Sequence, residues 1–104
     1  MGSLNKNEIG QYIRINLGED ISLATPTLIL EPQLGSAKEI TTGVTIPSVD
    51  VTVDGETLLA DQYVSYQTID GDLNYIGMWR FKAKLTFASD DIRSTDYERF
   101  LVKA

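Results

Sequence analysis

The sequence contains neither cysteine nor histidine in 104 residues. Without cysteine, the chain has no disulfides, thiolate zinc sites or cysteine nucleophiles. Without histidine, it lacks the commonest general base and the commonest metal ligand. No apolar run approaches the roughly 18 residues that a membrane-spanning helix requires. We therefore expect no cofactor and no membrane partner, and we expect that the protein is not an enzyme.

Positive charge is also scarce. Nine Lys and Arg residues stand against 15 Asp and Glu residues, which gives a net charge of −6. Such a field repels phosphate backbones, so nucleic acid is not an expected partner. The apolar share of 42% and the charged share of 23% are ordinary for a globular protein, and the length suits one domain. We divide the chain into a flexible N-terminal arm, residues 1–8, and a single domain, residues 9–104.

Alternation of apolar and polar residues predicts about seven short β-strands and no long helix. The dipeptide Asp54-Gly55 is typical of a two-residue hairpin turn between two of them. Turn signals at regular spacing favour an all-β fold, specifically an antiparallel immunoglobulin-like β-sandwich. In the clearest strand one face is apolar and predicted to lie in the core, namely Trp79, Phe81, Ala83, Leu85 and Phe87.

The opposite face of this strand carries Arg80, Lys82 and Lys84. This basic row could meet an acidic partner, or it could pair with neighbouring glutamates. Charged side chains also protect a sheet against unwanted association, and we favour that interpretation.

The turn before this strand resembles the start of a calcium loop. Asp70, Asp72 and Asn74 occupy the first three ligand positions of an EF-hand. However, Tyr75 stands where the loop needs glycine, and Phe81 stands where it needs glutamate. We therefore interpret the aspartates as turn residues that cap backbone amides, and keep them as weak metal candidates.

Trp79 sits where an immunoglobulin-type strand begins, at an aromatic corner. A buried indole N–H needs an acceptor, so we expect a backbone carbonyl from a neighbouring loop to accept its hydrogen bond.

Several segments together resemble a family of small proteins. Asp20-Ile21-Ser22-Leu23-Ala24-Thr25 is similar to an Asp-Leu-Ser-Gly-Ala-Thr-like segment, and Glu31-Pro32-Gln33-Leu34-Gly35 to a Lys-Pro-Asp-Gly-like turn. The closing part is matched by Tyr66-Gln67-Thr68, Gly71-Asp72-Leu73 and Gly77-Met78-Trp79. This pattern resembles the small immunoglobulin-like virion structural proteins of tailed bacteriophages. Leu23 and Gln33 depart from it, and both lie in predicted loops, where partners are selected.

The resemblance implies a non-enzymatic structural component of a tailed-phage virion, such as a head decoration, a neck or head-completion protein, or a tail accessory. Such a protein would be made in the cytoplasm of the bacterial host. It would dock on capsid, neck or tail proteins, and several copies could assemble on one particle. Candidate contact residues are Leu4, Ile9, Tyr12, Tyr63 and Tyr66. The alternative is a carbohydrate- or receptor-binding module that uses Tyr63, Tyr66 and Tyr75.

Overall fold

Ten β-strands and no helix make up the regular secondary structure of residues 3–104, the part of the chain that the computed structural model describes. It follows that no helix in this range could cross a membrane. The all-β prediction is confirmed. The strands are β1 (Leu4–Asn5), β2 (Tyr12–Asn16), β3 (Thr25–Pro32), β4 (Lys38–Ile40), β5 (Val51–Val53), β6 (Glu56–Leu58), β7 (Tyr63–Gln67), β8 (Gly77–Ala88), β9 (Asp91–Ser94) and β10 (Glu98–Lys103).

The larger sheet is built around β8, the strand with the strongest alternation in the sequence. Its order is β1-β10-β8-β3-β4, and β9 pairs with the end of β8 beyond β10. Neighbouring strands are antiparallel, except that β1 runs parallel to β10. β8 pairs with β3 from Trp79 opposite Pro32 to Thr86 opposite Thr25. β8 therefore holds both halves of this sheet together.

Two smaller pairs of strands complete the fold. β2 and β7 form an antiparallel pair, to which Thr45 adds a single bridge at Ser65. β5 and β6 form a hairpin whose turn residues, Asp54 and Gly55, have φ angles of 51° and 81°. Two positive φ angles are what a type I′ turn requires, so the hairpin prediction is confirmed.

The larger sheet and the β2–β7 pair share one hydrophobic core. β2 and β7 contribute inward side chains such as Ile13 and Val64, and β3 contributes Leu28. From β8, Trp79, Phe81 and Leu85 are at most 3% exposed, as predicted, whereas Phe87 is partly buried at the edge of the core.

Trp79 is anchored by its ring and by its polar atom. The ring stacks on Phe100, with centroids 6.0 Å apart. Its Nε1–H donates to the carbonyl of Tyr75 at 2.9 Å. The acceptor is a backbone carbonyl of the preceding turn, as the sequence predicts.

Part of the predicted N-terminal arm lies on the larger sheet. Leu4 pairs with Val102, the amide of Lys6 donates to the Lys103 carbonyl at 2.6 Å, and the amide of Asn7 donates to the Leu73 carbonyl at 2.8 Å. The side chain of Leu4 also packs against the core. Leu4, Asn5 and Lys6 are thus bonded to the sheet and Asn7 to the turn before β8, while Met1 and Gly2 lie outside the described residues.

Candidate functional site

The turn that resembles a calcium loop holds an ammonium group of the protein itself. Lys38 Nζ donates to the carbonyls of Gly71 at 2.8 Å and Asp72 at 3.0 Å, and to Asn74 Oδ1 at 2.8 Å. The same nitrogen lies 5.6 Å from the centre of the Trp79 ring. Burial lowers the pKa of Lys38, and the negative charge of Asp72 opposes that effect. The oxygen atoms that could surround a metal ion are therefore engaged by Lys38.

The carboxylate of Asp72 points in another direction. It accepts a hydrogen bond from the Tyr66 hydroxyl and one from the Ile69 amide at 2.9 Å. Asp70 is exposed to solvent. The three weak metal candidates Asp70, Asp72 and Asn74 thus do not converge, and residues 3–104 contain no cluster of three acidic side chains suited to a metal ion. Asp72 capping an amide is what the turn interpretation predicts.

Tyr63 and Tyr66, which the sequence suggests as contact residues, are core residues instead. They are 2% and 3% exposed, and the Tyr63 hydroxyl donates to the Val49 carbonyl at 2.9 Å. Tyr66 lies on the face of β7 that enters the core, together with Val64, and Tyr63, on the other face, is buried against the segment that contains Val49. Neither ring is accessible to a protein or a sugar.

The remaining candidate contact residues are more accessible. Ile9 is 61% exposed and Tyr12 is 49% exposed, while Leu4 is partly buried in β1. Arg14 lies beside Tyr12, with its guanidinium carbon 4.2 Å from the centre of the ring. Of the five predicted contacts, Ile9 and Tyr12 are therefore the two that present large exposed surface.

The basic row on β8 is paired within the molecule. Arg80 contacts Glu31 at 2.7 Å, and Lys84 contacts Glu39 at 3.0 Å. Lys82 lies above the Tyr97 ring. Hydrogen bonding to Arg80 lowers the pKa of Glu31. Of the interpretations considered above, pairing with neighbouring glutamates is the one observed.

Large apolar side chains are exposed together at one end of the molecule. The Gln33 amide donates to the Met78 carbonyl at 3.0 Å, which joins the β3–β4 loop to the start of β8. The Tyr75 ring lies against Gly35, where an added Cβ would be 2.8 Å from it. Leu101 is directly opposite Met78 in the register of β10 and β8. We name this surface the apolar end patch: Leu34, Tyr75, Ile76, Met78 and Leu101, each between 39% and 67% exposed.

None of the contact residues predicted from the sequence belongs to this patch. The sequence nevertheless contains a sign of it, because Met78 and Leu101 are apolar at outward positions, next to the buried Trp79 and Phe100. An apolar residue on the outward face of a strand is a deviation from the two-residue period. What the sequence did not reveal is that Leu34, in a loop 44 residues before Met78, lies at the same end.

The opposite end of the molecule is acidic. The Ile21 amide donates to the Asp61 carbonyl, and the Asp61 amide donates to the Pro47 carbonyl, which brings three loops together there. These loops and the nearby β8–β9 turn carry Glu19, Asp20, Asp50, Asp61, Asp90 and Asp91. The two ends therefore differ in chemistry, one apolar and the other negatively charged.

No family model, curated protein or solved structure matches the chain.

Proposed function

We propose that the chain is a non-enzymatic structural protein with an immunoglobulin-like fold that docks on other proteins of a tailed-phage particle through the apolar end patch. The observation that carries this proposal is the patch itself, in which five large apolar side chains are exposed side by side. Soluble monomers rarely leave extended apolar surface uncovered, and such surface commonly marks a contact with another protein.

Two features support the immunoglobulin-like part of the proposal. A fully buried tryptophan belongs to a core shared by the larger sheet and the β2–β7 pair, with its indole N–H bonded to the turn before its strand. The motif Gly71-Asp72-Leu73 also has a structural role, since Leu73 is fully buried and Asp72 caps the turn. The motifs that carry the family resemblance thus occupy turn and core positions, where a fold is specified.

The carboxylates support a non-enzymatic role. A general acid needs a raised pKa, which burial in apolar surroundings provides. The pKa of Asp20 is instead lowered by hydrogen bonding to Ser22, and that of Glu31 by hydrogen bonding to Arg80. The buried carboxylate, Asp72, is engaged with Tyr66 and Ile69.

The composition of the patch favours a protein as the partner. Four of its five members are aliphatic, namely Leu34, Ile76, Met78 and Leu101. Aliphatic side chains suit an apolar protein surface, whereas sugars stack on aromatic rings. Tyr75 is the one tyrosine of the proposed sugar-binding set that is exposed, so the carbohydrate alternative has less support.

Particle composition tests the proposal. Mass spectrometry of purified particles, from the phage whose genome encodes the chain, should find the protein as a stoichiometric component. The double variant Leu34→Lys/Met78→Lys should be lost from the particles although it folds, because a charge in each position opposes burial of the patch. Leu23→Lys is the matched control, since Leu23 is an exposed loop leucine at the other end. Absence of the wild-type chain from particles, or equal incorporation of the double variant, would refute the proposal.

A further inference from the structure

The free edge of β2 borders a groove of about 580 Å³. β2 contributes Tyr12, Arg14 and Asn16 to the groove. The β5–β6 hairpin contributes Val53, Asp54, Glu56 and Leu58. From the larger sheet, the partly buried Leu4 supplies apolar surface, and the buried Phe81 lies at the bottom of the groove. The groove therefore lies along the full length of a sheet edge, between that edge, the hairpin and the other sheet.

The backbone of β2 offers hydrogen bonds to this groove. The Thr68 amide donates to the Gln11 carbonyl at 2.8 Å, and the Leu17 amide donates to the Gln62 carbonyl at 2.9 Å. In an antiparallel pair, residues that form backbone hydrogen bonds to the partner strand alternate with residues that do not. Since Gln11 and Leu17 form such bonds, the backbone groups of Ile13 and Ile15 also bond to β7. The N–H and C=O groups of the intervening residues, Tyr12, Arg14 and Asn16, consequently point away from β7. Within residues 3–104, β2 pairs with no other strand.

The groove also has an excess of negative charge. Asp54, Glu56 and Glu98 line it, against a single basic residue, Arg14. The Arg14 guanidinium is stacked on Tyr12. A segment that enters this groove is therefore favoured if it carries positive charge.

We infer that the groove receives an extended, basic segment of another protein, which adds to β2 as a third strand. This mode of recognition combines backbone hydrogen bonds for affinity with side-chain pockets for specificity. It uses a different surface from the apolar end patch, so it goes beyond the proposed function and can succeed or fail independently of it.

The geometry of strand addition specifies the pattern of the segment. Residues directly opposite each other in a sheet have side chains on the same face. Guest residues opposite Ile13 and Ile15 therefore point between the sheets, where a Lys or Arg stem can pack on Leu4 and its charged head can reach Glu98. The guest residue opposite Arg14 should be neutral. A second copy pairing through the full length of its own β2, in the two-fold arrangement, would place Arg14 opposite Arg14, which is unfavourable.

Two peptides with opposite charge test this inference on the intact protein. The probe is acetyl-Thr-Lys-Val-Lys-Thr-amide, which places Lys opposite Ile13 and Ile15, and the control is acetyl-Thr-Glu-Val-Glu-Thr-amide. Titration followed by amide NMR should shift the resonances of Tyr12, Arg14 and Asn16 with the basic peptide. The acidic peptide should bind about tenfold more weakly or not at all, because like charges meet in the groove.

Three variants locate the interaction. Arg14→Pro removes an N–H that points into the groove and leaves the β2–β7 hydrogen bonds intact, so affinity should fall about tenfold. Arg14→Ala keeps this N–H and removes the one positive charge of the groove, so it should bind the basic peptide at least as tightly as the wild type. The double variant Glu56→Gln/Glu98→Gln should weaken binding about threefold to tenfold, since two ion pairs are lost. Glu19→Gln, at the acidic end, is the control for net charge and should have no effect.

Three results would overturn the inference. One is that the amide resonances of β2 do not move at the highest peptide concentration although the protein stays folded. Another is equal binding of the two peptides. The third is a β2 shift that follows protein concentration without peptide, which would identify a second copy as the occupant. Leu34→Lys should leave peptide binding unchanged, which separates this test from that of the apolar end patch.

Discussion

Removing the hydroxyl of Tyr66 should destabilise the protein through Asp72. The Tyr66 hydroxyl donates to Asp72 Oδ2, which otherwise accepts from the Ile69 amide alone. The two side chains belong to residues that are 3% and 8% exposed, so water cannot readily replace the lost donor. Tyr66→Phe deletes one oxygen and keeps the ring, so the cavity created is small. A hydrogen bond to a charged group contributes about 1.5–3 kcal/mol, and we expect the free energy of unfolding to fall by about 2 kcal/mol.

Urea unfolding at pH 7 measures this loss, with the fluorescence of the single tryptophan as the signal. The matched control is Tyr97→Phe, because the Tyr97 hydroxyl contacts Glu31 at 3.3 Å near the surface and Glu31 keeps its pairing with Arg80. The control should change stability by less than about 0.5 kcal/mol. If both variants lose the same amount, Tyr66 does not hold Asp72 and the reasoning is refuted.

Three further predictions concern the same region of the fold. Burial and the bond to Asp72 raise the pKa of Tyr66 above its ordinary value of 10.0, so above that pH the unfolded chain loses a proton that the folded chain keeps. Stability should therefore fall as pH rises beyond 10.0, by up to about 1.4 kcal/mol per pH unit, and urea titrations of Tyr66→Phe should lack this slope. Trp79→Phe should lower the free energy of unfolding by about 2 kcal/mol, measured by circular dichroism, because it loses volume in a closed core and the bond to Tyr75. Lys38→Met should cost about 1 kcal/mol in the same assay, and millimolar calcium should leave the melting temperature of the wild type unchanged, since Lys38 occupies the oxygen atoms of the turn. A calcium-dependent rise in that temperature would restore the metal interpretation.

The sequence predicts the features that depend on neighbouring residues. Strict alternation along β8 identifies its buried face, because side chains two apart lie on the same side of a strand. The hairpin at Asp54-Gly55 follows from the positive φ angles that this dipeptide tolerates. The sequence predicts that a backbone carbonyl accepts a hydrogen bond from the Trp79 indole, since a buried N–H must be bonded. It does not predict that this carbonyl belongs to Tyr75.

Features that depend on distant parts of the chain were not predictable from local patterns. The pattern of β7 is typical of a half-exposed strand, yet Tyr66 lies in the core and Tyr63, on the opposite face, is buried against the segment that contains Val49. Lys38 fills the Asp70–Asn74 turn although it lies more than 30 residues earlier in the chain. Periodicity gives the orientation of a side chain relative to its own strand, and it contains no information on which remote segment covers that side.

The edge strands of the protein differ in how they are protected from pairing with other chains. Edge strands tend to aggregate unless they are short, covered or charged. In the larger sheet, β1 pairs with the last two residues of β10, and β4 has three residues. β2 has five residues and is bordered by the β5–β6 hairpin, with carboxylates at Asp54 and Glu56. A flat edge from another copy would meet the hairpin, whereas a single extended segment can enter beside it. The hairpin therefore protects β2 against general sheet extension while it leaves room for a slim, positively charged strand.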